Sequence, residues 1–514
     1  MSESGGAVDA VVVGTGPNGL AAALVLAGAG LAVRLYEAAP TIGGGARTAE
    51  LTLPGFRHDV CSAAHPMAMA SPFFRSFDLA RHGVRMLQPE IAYAHPLDTG
   101  TAGLAWPDLT RTAEGLGADG ARWSTLFGPL VEDWHGLVQD ALSDLRHFPA
   151  SPSTATRFAL RVLGASVPPR RTRLRTPEAA ALLAGVSAHA IGPPSRPVPA
   201  AVGLLLAGLA HAVGWPVPYG GSQSIVDAMA LELTRRGAQI VTGHRVRSLA
   251  ELPPARAVLL DVSPAGLLAL AGDRLRPRHV RRLRRFRYGP GVCKVDFALS
   301  DPVPWAAPGC DRAGTLHLIG SREEAETAEL EVAAGRHAER PFVLAVQPGV
   351  VDDTRAPGGS HTLYTYAHVP HASPLDVSGA VIAQVERFAP GFRELILAHN
   401  AVPAASAQRY NDNYVGGDIS GGALTLKQLL LRPRTAWDPY STPIPGVYMC
   451  SAATPPGPGV HGMCGVHAAR RALKREFGRS VPYPAGYTES SPKRDHHRAL
   501  STPGEGCEAW RRKR

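Results

Sequence analysis

The sequence predicts an α/β protein in which βαβ units are interleaved with an α+β second domain, and three observations lead there. The apolar run Asp9 to Val13 is followed by an Ala/Leu-rich helical stretch, Leu20 to Ala29, and a β-branched and aromatic run, Leu31 to Tyr36. That alternation is one βαβ unit. Strand and helix patterns of the same kind return twice, from Tyr219 to Asp261 and from Gly446 to Arg475. Between the returns, alternating segments at Val292 to Leu299, Gly314 to Ile319, Phe342 to Gln347 and His361 to Ala367 predict a mostly antiparallel sheet.

Taken along the chain, residues 1–70, 215–290 and 430–485 are assigned to one discontinuous βαβ domain, and 71–214 and 291–429 to the second. From Ser71 to Pro218 the periodicity is mostly helical, broken by loops rich in Pro, Arg and Ser at Phe148 to Thr156 and Ser166 to Thr176. This stretch is expected to be a helical insert. After the Gly220-Gly221 turn a helix is expected from Ser224 to Arg236, then strands at Gln239 to Val241 and Ala257 to Asp261. Residues 486–514 are polar and rich in Ser, His and Arg, the composition of a disordered tail.

Composition narrows the function classes. A chain of 514 residues needs more than one core. Its 45% hydrophobic and 19% charged residues are those of a globular protein. The net charge of +10 is concentrated at Arg274 to Arg287, Arg170 to Arg175 and Arg511 to Arg514, not along an aromatic-rich face, so no nucleic-acid partner is expected. Such clusters fit a solvated helix face and a basic tail, or peripheral association with an anionic membrane surface. The six cysteines, Cys61, Cys293, Cys310, Cys450, Cys464 and Cys507, form no C-x-x-C, which argues against a redox disulfide and a zinc cage and favours reduced thiols in a cytoplasmic protein. The N-terminal apolar run leads into glycines without a basic flank or cleavage site, and the later run Ala200 to Val213 falls short of the ~20 residues that span a bilayer. His361, His368, His371 and Asp352-Asp353 lack tight ligand spacing, so no metal is expected.

The motif that carries chemistry is Gly14-Thr15-Gly16-Pro17-Asn18-Gly19, a G-x-G-x-x-G between predicted strand and helix. Gly14 permits the tight turn, Gly16 lets the backbone approach a diphosphate, Gly19 lets helix and strand pack, and the helix N-terminus, with Pro17 and Asn18, faces the phosphates. Glu37 ends the second strand eighteen residues after Gly19, where a carboxylate accepts ribose hydroxyls and repels a 2′-phosphate. These residues predict a Rossmann-type dinucleotide site. A second glycine turn, Gly43-Gly44-Gly45, followed by Arg47, favours FAD over NAD: the longer cofactor crosses the domain and a guanidinium meets its diphosphate. No second G-x-G-x-x-G follows a strand later, so the electron partner is expected to be oxygen, a quinone or the organic substrate itself.

With Gly43-Gly44-x-x-Arg47-Thr48 followed by Leu53-Pro54-Gly55-Phe56, the sequence resembles the phytoene desaturase-like branch of the flavin amine-oxidase superfamily. Within it, Gly416-Gly417-Asp418-Ile419 and Thr442-Pro443-Ile444-Pro445-Gly446 look closest to the pyridine nucleotide-disulphide oxidoreductase domain-containing protein 2 group. The resemblance implies a glutathione-reductase-2-like FAD domain interleaved with a substrate domain. It implies that Val246, after the Gly237-to-Ile240 segment, bonds the adenine through its backbone. It implies also that Gly459, Val460, Gly462 and Met463 meet the ribityl chain and isoalloxazine, and that Cys293 to Leu299 enters the substrate domain. The closing motif departs from the family pattern at Ser451, Pro455 and Pro458, near the expected flavin.

His461 is a candidate proton relay, and a buried histidine bonded to its own loop is the alternative. The expected activity is FAD-dependent dehydrogenation or desaturation of an apolar small molecule. An amine or amino-acid oxidase, a redox-neutral saturase or isomerase, and a flavin-binding regulatory protein are the alternatives.

Overall fold

The computed structural model describes residues 7–144, 149, 151–166, 174–433 and 438–481. The tail expected after residue 485 lies outside them, as do the arginines at 170–173 and 511–514.

Strand Ala10–Val13 is wholly buried, as an apolar strand at the centre of a parallel sheet must be. The five parallel strands lie in the order Val447–Met449, Ala257–Leu260, Ala10–Val13, Val33–Tyr36, Gln239–Val241. Three stretches distant in sequence thus build one Rossmann-like sheet. Helix Pro17–Gly28 begins inside the glycine motif, earlier than the Leu20 start expected from hydrophobicity, because Pro17 at its first position pre-sets the helical φ. It packs against helix Met463–Glu476, where a Cβ on Gly465 would fall 1.9 Å from the Asn18 carbonyl oxygen.

The second sheet has seven strands in the order Ile396–Val402, Gly291–Leu299, His361–Val369, Val343–Val346, Ala313–Leu318, Ile91–Pro96, Ala102–Ala105. All its pairings are antiparallel except that of Ile91–Pro96 with Ala313–Leu318. The stretch expected to be a helical insert therefore gives two strands to this sheet. Ile91–Pro96 is buried throughout, so it lacks the alternation that marks a half-exposed strand. Ile396–Val402 was likewise not anticipated. Helix Pro152–Ser166 occupies most of the loop expected at Phe148 to Thr156; Ser151-Pro152 is a helix start that composition alone scored as a loop.

One sheet face is apolar, with Cys293, Val295, Phe297, Leu316, Val343, Ala345 and Leu363 in a single core. The other alternate positions carry Lys294, Asp296, Thr315, His317, Tyr364, Tyr366 and His368. Helices Gly120–Glu132, Pro177–Ser187 and Pro197–Ala212 pack around Tyr93, Trp123, Phe127 and Trp215. The apolar 200–213 run belongs to that core, with His211 accepting from Trp123 Nε1 at 3.0 Å. No helix among the described residues is long and apolar enough to cross a membrane. In the 274–287 cluster all eight arginines are exposed, while Leu275 and Leu283 are buried beneath them.

Candidate flavin site

The first glycine loop is built by close approach. Gly14 has φ +97°, and a Cβ there would meet the Asp261 carbonyl oxygen at 2.9 Å. A Cβ on Gly19 would stand 2.2 Å from the Gly14 carbonyl oxygen, so both positions exclude a side chain. Gly16 caps helix Pro17–Gly28 without a side-chain bond of its own, and the Gly19 N–H of the first turn donates to Asp261 Oδ2 at 3.0 Å. Asn18 Oδ1 is buried and has no hydrogen-bond partner among the described residues.

The second glycine turn closes on the first. Gly43 N–H donates to the Thr15 carbonyl at 3.1 Å, and a Cβ on Gly44 would lie 3.0 Å from Gly16 Cα. Arg47 is 8% exposed, donates from Nε to the Gly44 carbonyl at 2.9 Å and lies over the Tyr410 ring at 4.2 Å. It forms no ion pair among the described residues, so its charge is available to an anion.

Glu37 is half-buried at the end of Val33–Tyr36. Its Oε2 accepts from Thr15 N at 3.0 Å and Thr15 Oγ1 at 2.6 Å, and its Oε1 accepts from Ala39 N at 2.9 Å. These three bonds leave about one lone-pair direction for a ribose hydroxyl; accepting two requires the Thr15 hydroxyl to turn away. The Gly243 and His244 N–H groups bond back to Ala39 and Glu37 at 2.8 Å, which brings the Val246 segment beside Glu37. Val246 is 9% exposed and makes no backbone hydrogen bond among the described residues.

On the other flank the chain leaves Val447–Met449 into the loop before helix Met463–Glu476. Gly459 and Gly462 have φ +126° and +71°, and a Cβ on Gly462 would press on Phe73 and Ala21 at 2.7 and 3.0 Å. Val460 and Met463 are buried. Ser451 donates to the Val262 carbonyl at 2.7 Å, and the Pro455 carbonyl accepts from Tyr440 Oη at 3.1 Å, so two of the three unusual residues are tied into the loop's own framework.

For His461 the geometry matches the alternative reading, a buried histidine bonded to its own loop. It is fully buried, its Nδ1 accepts from Met463 N at 3.0 Å, and its Nε2 faces the Gly457 carbonyl at 3.1 Å. Burial pushes it down to about 4, with His467 adding to the effect against the Gly457 carbonyl. A neutral ring with Nε2–H on the Gly457 carbonyl and Nδ1 accepting from Met463 N fixes loop geometry.

Several residues that the sequence did not single out converge beyond the glycine turns. A Cβ on Gly45 would meet Tyr414 Oη at 2.2 Å and Cys61 Cβ at 3.6 Å. Tyr364 Oη donates to the Cys61 carbonyl, and Lys294 Nζ sits over the Tyr364 ring at 3.7 Å while donating to Asp296. Burial pushes Lys294 down against its pairing with Asp296, and pushes Asp296 up to about 6 against the pull of Lys294. A continuous path of contacts thus runs from Gly16 through Gly44, Gly45 and Cys61 to Tyr364 and Lys294. Beside it, Arg355 bonds Asp59 at 2.9 Å and Asp352 at 2.6 Å, all three side chains being buried. Lysine and aspartate two residues apart in an otherwise apolar strand were the available signal for this wall.

Of the residues the sequence singled out, Glu37 stands beside the Val246 segment, Gly14, Gly16, Gly44 and Arg47 gather at the helix N-terminus, and the 459–463 loop packs against Met67, Ser71, Phe73 and Ala21. The Gly-lined cradle and Arg47, which forms no ion pair among the described residues, fit a dinucleotide diphosphate. Among the described residues no cluster of His, Cys, Asp and Glu could hold a metal.

Residues 12–79 match the model for an NAD(P)-binding Rossmann-like domain. The chain is 26% identical to the mouse pyridine nucleotide-disulfide oxidoreductase domain-containing protein 2, over 90% of this chain and 92% of that one. Among solved structures it is similar to wild-type putrescine oxidase bound to putrescine, at 17% identity and TM-score 0.55 over 92% of this chain and 99% of the other. Cyclohexylamine oxidase from Brevibacterium oxydans gives 16% identity and TM-score 0.55 over 92% and 100% of the two chains. The fold is therefore the mixed α/β fold of these oxidases, with a Rossmann-like nucleotide-binding sheet at its base.

Proposed function

We propose that this chain is an FAD-dependent oxidoreductase that dehydrogenates a small organic molecule. The observation that carries it is the meeting of Gly16, Gly44, Glu37 and Arg47 around one helix N-terminus, continued as a contact path to a second sheet. The oxidoreductase names of the relatives and structural neighbours support the same class. When bound, FAD supplies two-electron oxidation of a substrate C–H bond, and the protein supplies orientation and electrostatics. Glu37 orients the adenosine, Arg47 neutralises diphosphate charge, and Gly45 keeps the space beside Cys61 and Tyr414 free of side chains. Lys294 and Asp296 share one proton-rich contact on the substrate side, and Tyr364 pins the Cys61 backbone beneath it.

For the substrate, desaturation of an apolar chain and oxidation of a polar molecule make different demands on this wall. An apolar chain gains from apolar lining, whereas Lys294, Asp296, Tyr364, Tyr366 and His368 place polar groups at successive inward positions. We therefore rank a polar substrate with an oxidisable C–N or C–O bond ahead of a polyene, with oxygen or a quinone as acceptor. The test is an anaerobic bleaching screen of the purified flavoprotein against amines, amino acids, alcohols and polyenes, followed by reoxidation in air. Bleaching by a polar compound is expected; bleaching by polyenes alone would reverse the ranking. In the same preparation Gly16→Val, whose side chain enters the cradle, is expected to yield colourless folded protein. Full flavin content in that variant would show that the site is misplaced.

A further inference from the structure

The head of the cradle holds an acid. Asp261 follows strand Ala257–Leu260, and its Oδ2 accepts the Gly19 N–H at 3.0 Å. A Cβ on Gly16 would lie 2.7 Å from that same oxygen. The backbone cannot carry the side chain away: Asp261 N donates to the Val13 carbonyl at 2.8 Å, and the Asp261 carbonyl accepts from Asn413 Nδ2 at 2.9 Å. Asp261 is 8% exposed, forms no ion pair among the described residues, and stands at the positive helix end to which a dinucleotide diphosphate is drawn. Asn18 Oδ1, buried and without a hydrogen-bond partner among the described residues, belongs to the same helix turn.

A carboxylate and a diphosphate at one helix N-terminus are like charges in a poorly solvated place, and one of them must give way or take up a proton. The groups facing Asp261 do little to relieve this. Glu37 adds negative charge from the end of Val33–Tyr36, and Cys450 and Cys464 are thiols that burial keeps protonated. The first turn of helix Pro17–Gly28 has no basic residue, and Arg47 is turned to the Gly44 carbonyl.

We propose that Asp261 is a proton-gated ligand of the cofactor diphosphate. As a carboxylic acid it keeps the Gly19 N–H on one oxygen and donates its proton to a diphosphate oxygen from the other; as a carboxylate it repels the diphosphate. No covalent bond changes, and one proton is taken up from solvent for each cofactor bound by the ionised form. Burial already pushes Asp261 up to about 7, with Glu37 reinforcing it against the Gly19 and Gly16 N–H groups. A bound diphosphate raises it further. By linkage, cofactor affinity is full below pH 7 and falls by about tenfold per unit above it.

The inference rests on the FAD proposal, and the experiment separates the two. Apo protein is titrated with FAD by fluorescence quenching from pH 6 to 8.5 at constant ionic strength, for wild type and Asp261→Asn, with proton uptake read from a pH indicator at pH 8. Wild-type affinity is expected to fall by about tenfold per unit above pH 7. Asp261→Asn is expected to bind independently of pH, at least about tenfold tighter than wild type at pH 8.5, with no proton uptake. The same slope in both proteins, or weaker binding by Asp261→Asn at pH 8.5, overturns the inference and leaves the FAD proposal standing. Absence of wild-type binding at every pH overturns both. Should the variant not fold, proton uptake by the wild type decides: about one proton per FAD supports the gate, and none overturns it.

Discussion

At His461 both ring nitrogens are engaged by the backbone of the loop that carries it, through Met463 N and the Gly457 carbonyl. Protonation would break the first of these bonds, and burial sets the ring's pKa near 4. The ring is therefore expected to stay neutral from pH 5 to 8. NMR of histidine-labelled protein checks this, with His461→Asn identifying the resonance; a titration near pH 6.5 would restore it as a proton relay. Gly14, Gly16, Gly19 and Glu37 were legible because the whole motif is local, spacing and residue type together defining a strand–turn–helix. Asp261 was not, since it reaches Gly19 from 242 residues away and nothing in the Leu260-Asp261-Val262 segment marks it. Lys294 and Asp296 stood in a strand identified from its pattern, yet their meeting with Tyr364 and Cys61 depends on two further segments.

The elements most readily legible were those with one clear periodicity, such as helix Gln223–Arg235 and the four antiparallel strands between 291 and 369. Elements buried on every side, such as Ile91–Pro96, carry no alternation and were passed over. Helix Met463–Glu476 lies between these cases: its pattern gave a helix, while its tight approach to Pro17–Gly28 is visible only in three dimensions. At their crossing Gly465 meets the Asn18 carbonyl, and helical backbone cannot move away as a flexible side chain would. Gly465→Val is expected to cost about 3 kcal/mol or more, above the usual range of ~1–3 kcal/mol for overpacking, because the clash is with backbone. Because Asn18 opens the cradle, flavin affinity should fall together with stability. Chemical unfolding with parallel FAD titration measures both; unchanged values would mean the two helices are not held at this distance.

Across the whole molecule, burial sets the charge state of an unusual number of histidines. His58, His65, His95, His189, His211, His317 and His461 are all pushed down by desolvation, the first-named to about 3 and His65, His95 and His211 to about 4. A histidine held neutral in the folded state adds nothing while the unfolded chain is also neutral, and opposes folding once pH falls below the unfolded value near 6.5. Three carboxyls act the other way: Asp261 and Asp296, raised by burial to about 7 and 6, and Asp418, also raised by burial, bind protons in the folded state where the unfolded chain does not. Seven groups against three leaves the unfolded chain binding more protons between pH 6.5 and 5. Each uncompensated proton removes up to about 1.4 kcal/mol per pH unit. Asp59 and Asp352 do not alter that window: their buried carboxylates are held below the usual range by Arg355 and hydrogen bonds, so their contribution is lost only below about pH 4. The melting temperature is therefore expected to fall steadily from pH 7.5 to 5.5. Scanning calorimetry across that range checks it, and a melting temperature at pH 5.5 equal to or above that at pH 7.5 would show that the histidines are protonated in the fold. The seven histidines lie in the seven-stranded sheet (His95, His317), in the 58–65 segment (His58, His65), in the helical layer (His189, His211) and in the closing loop (His461), so the loss is spread over several packed regions and should appear as a single cooperative transition.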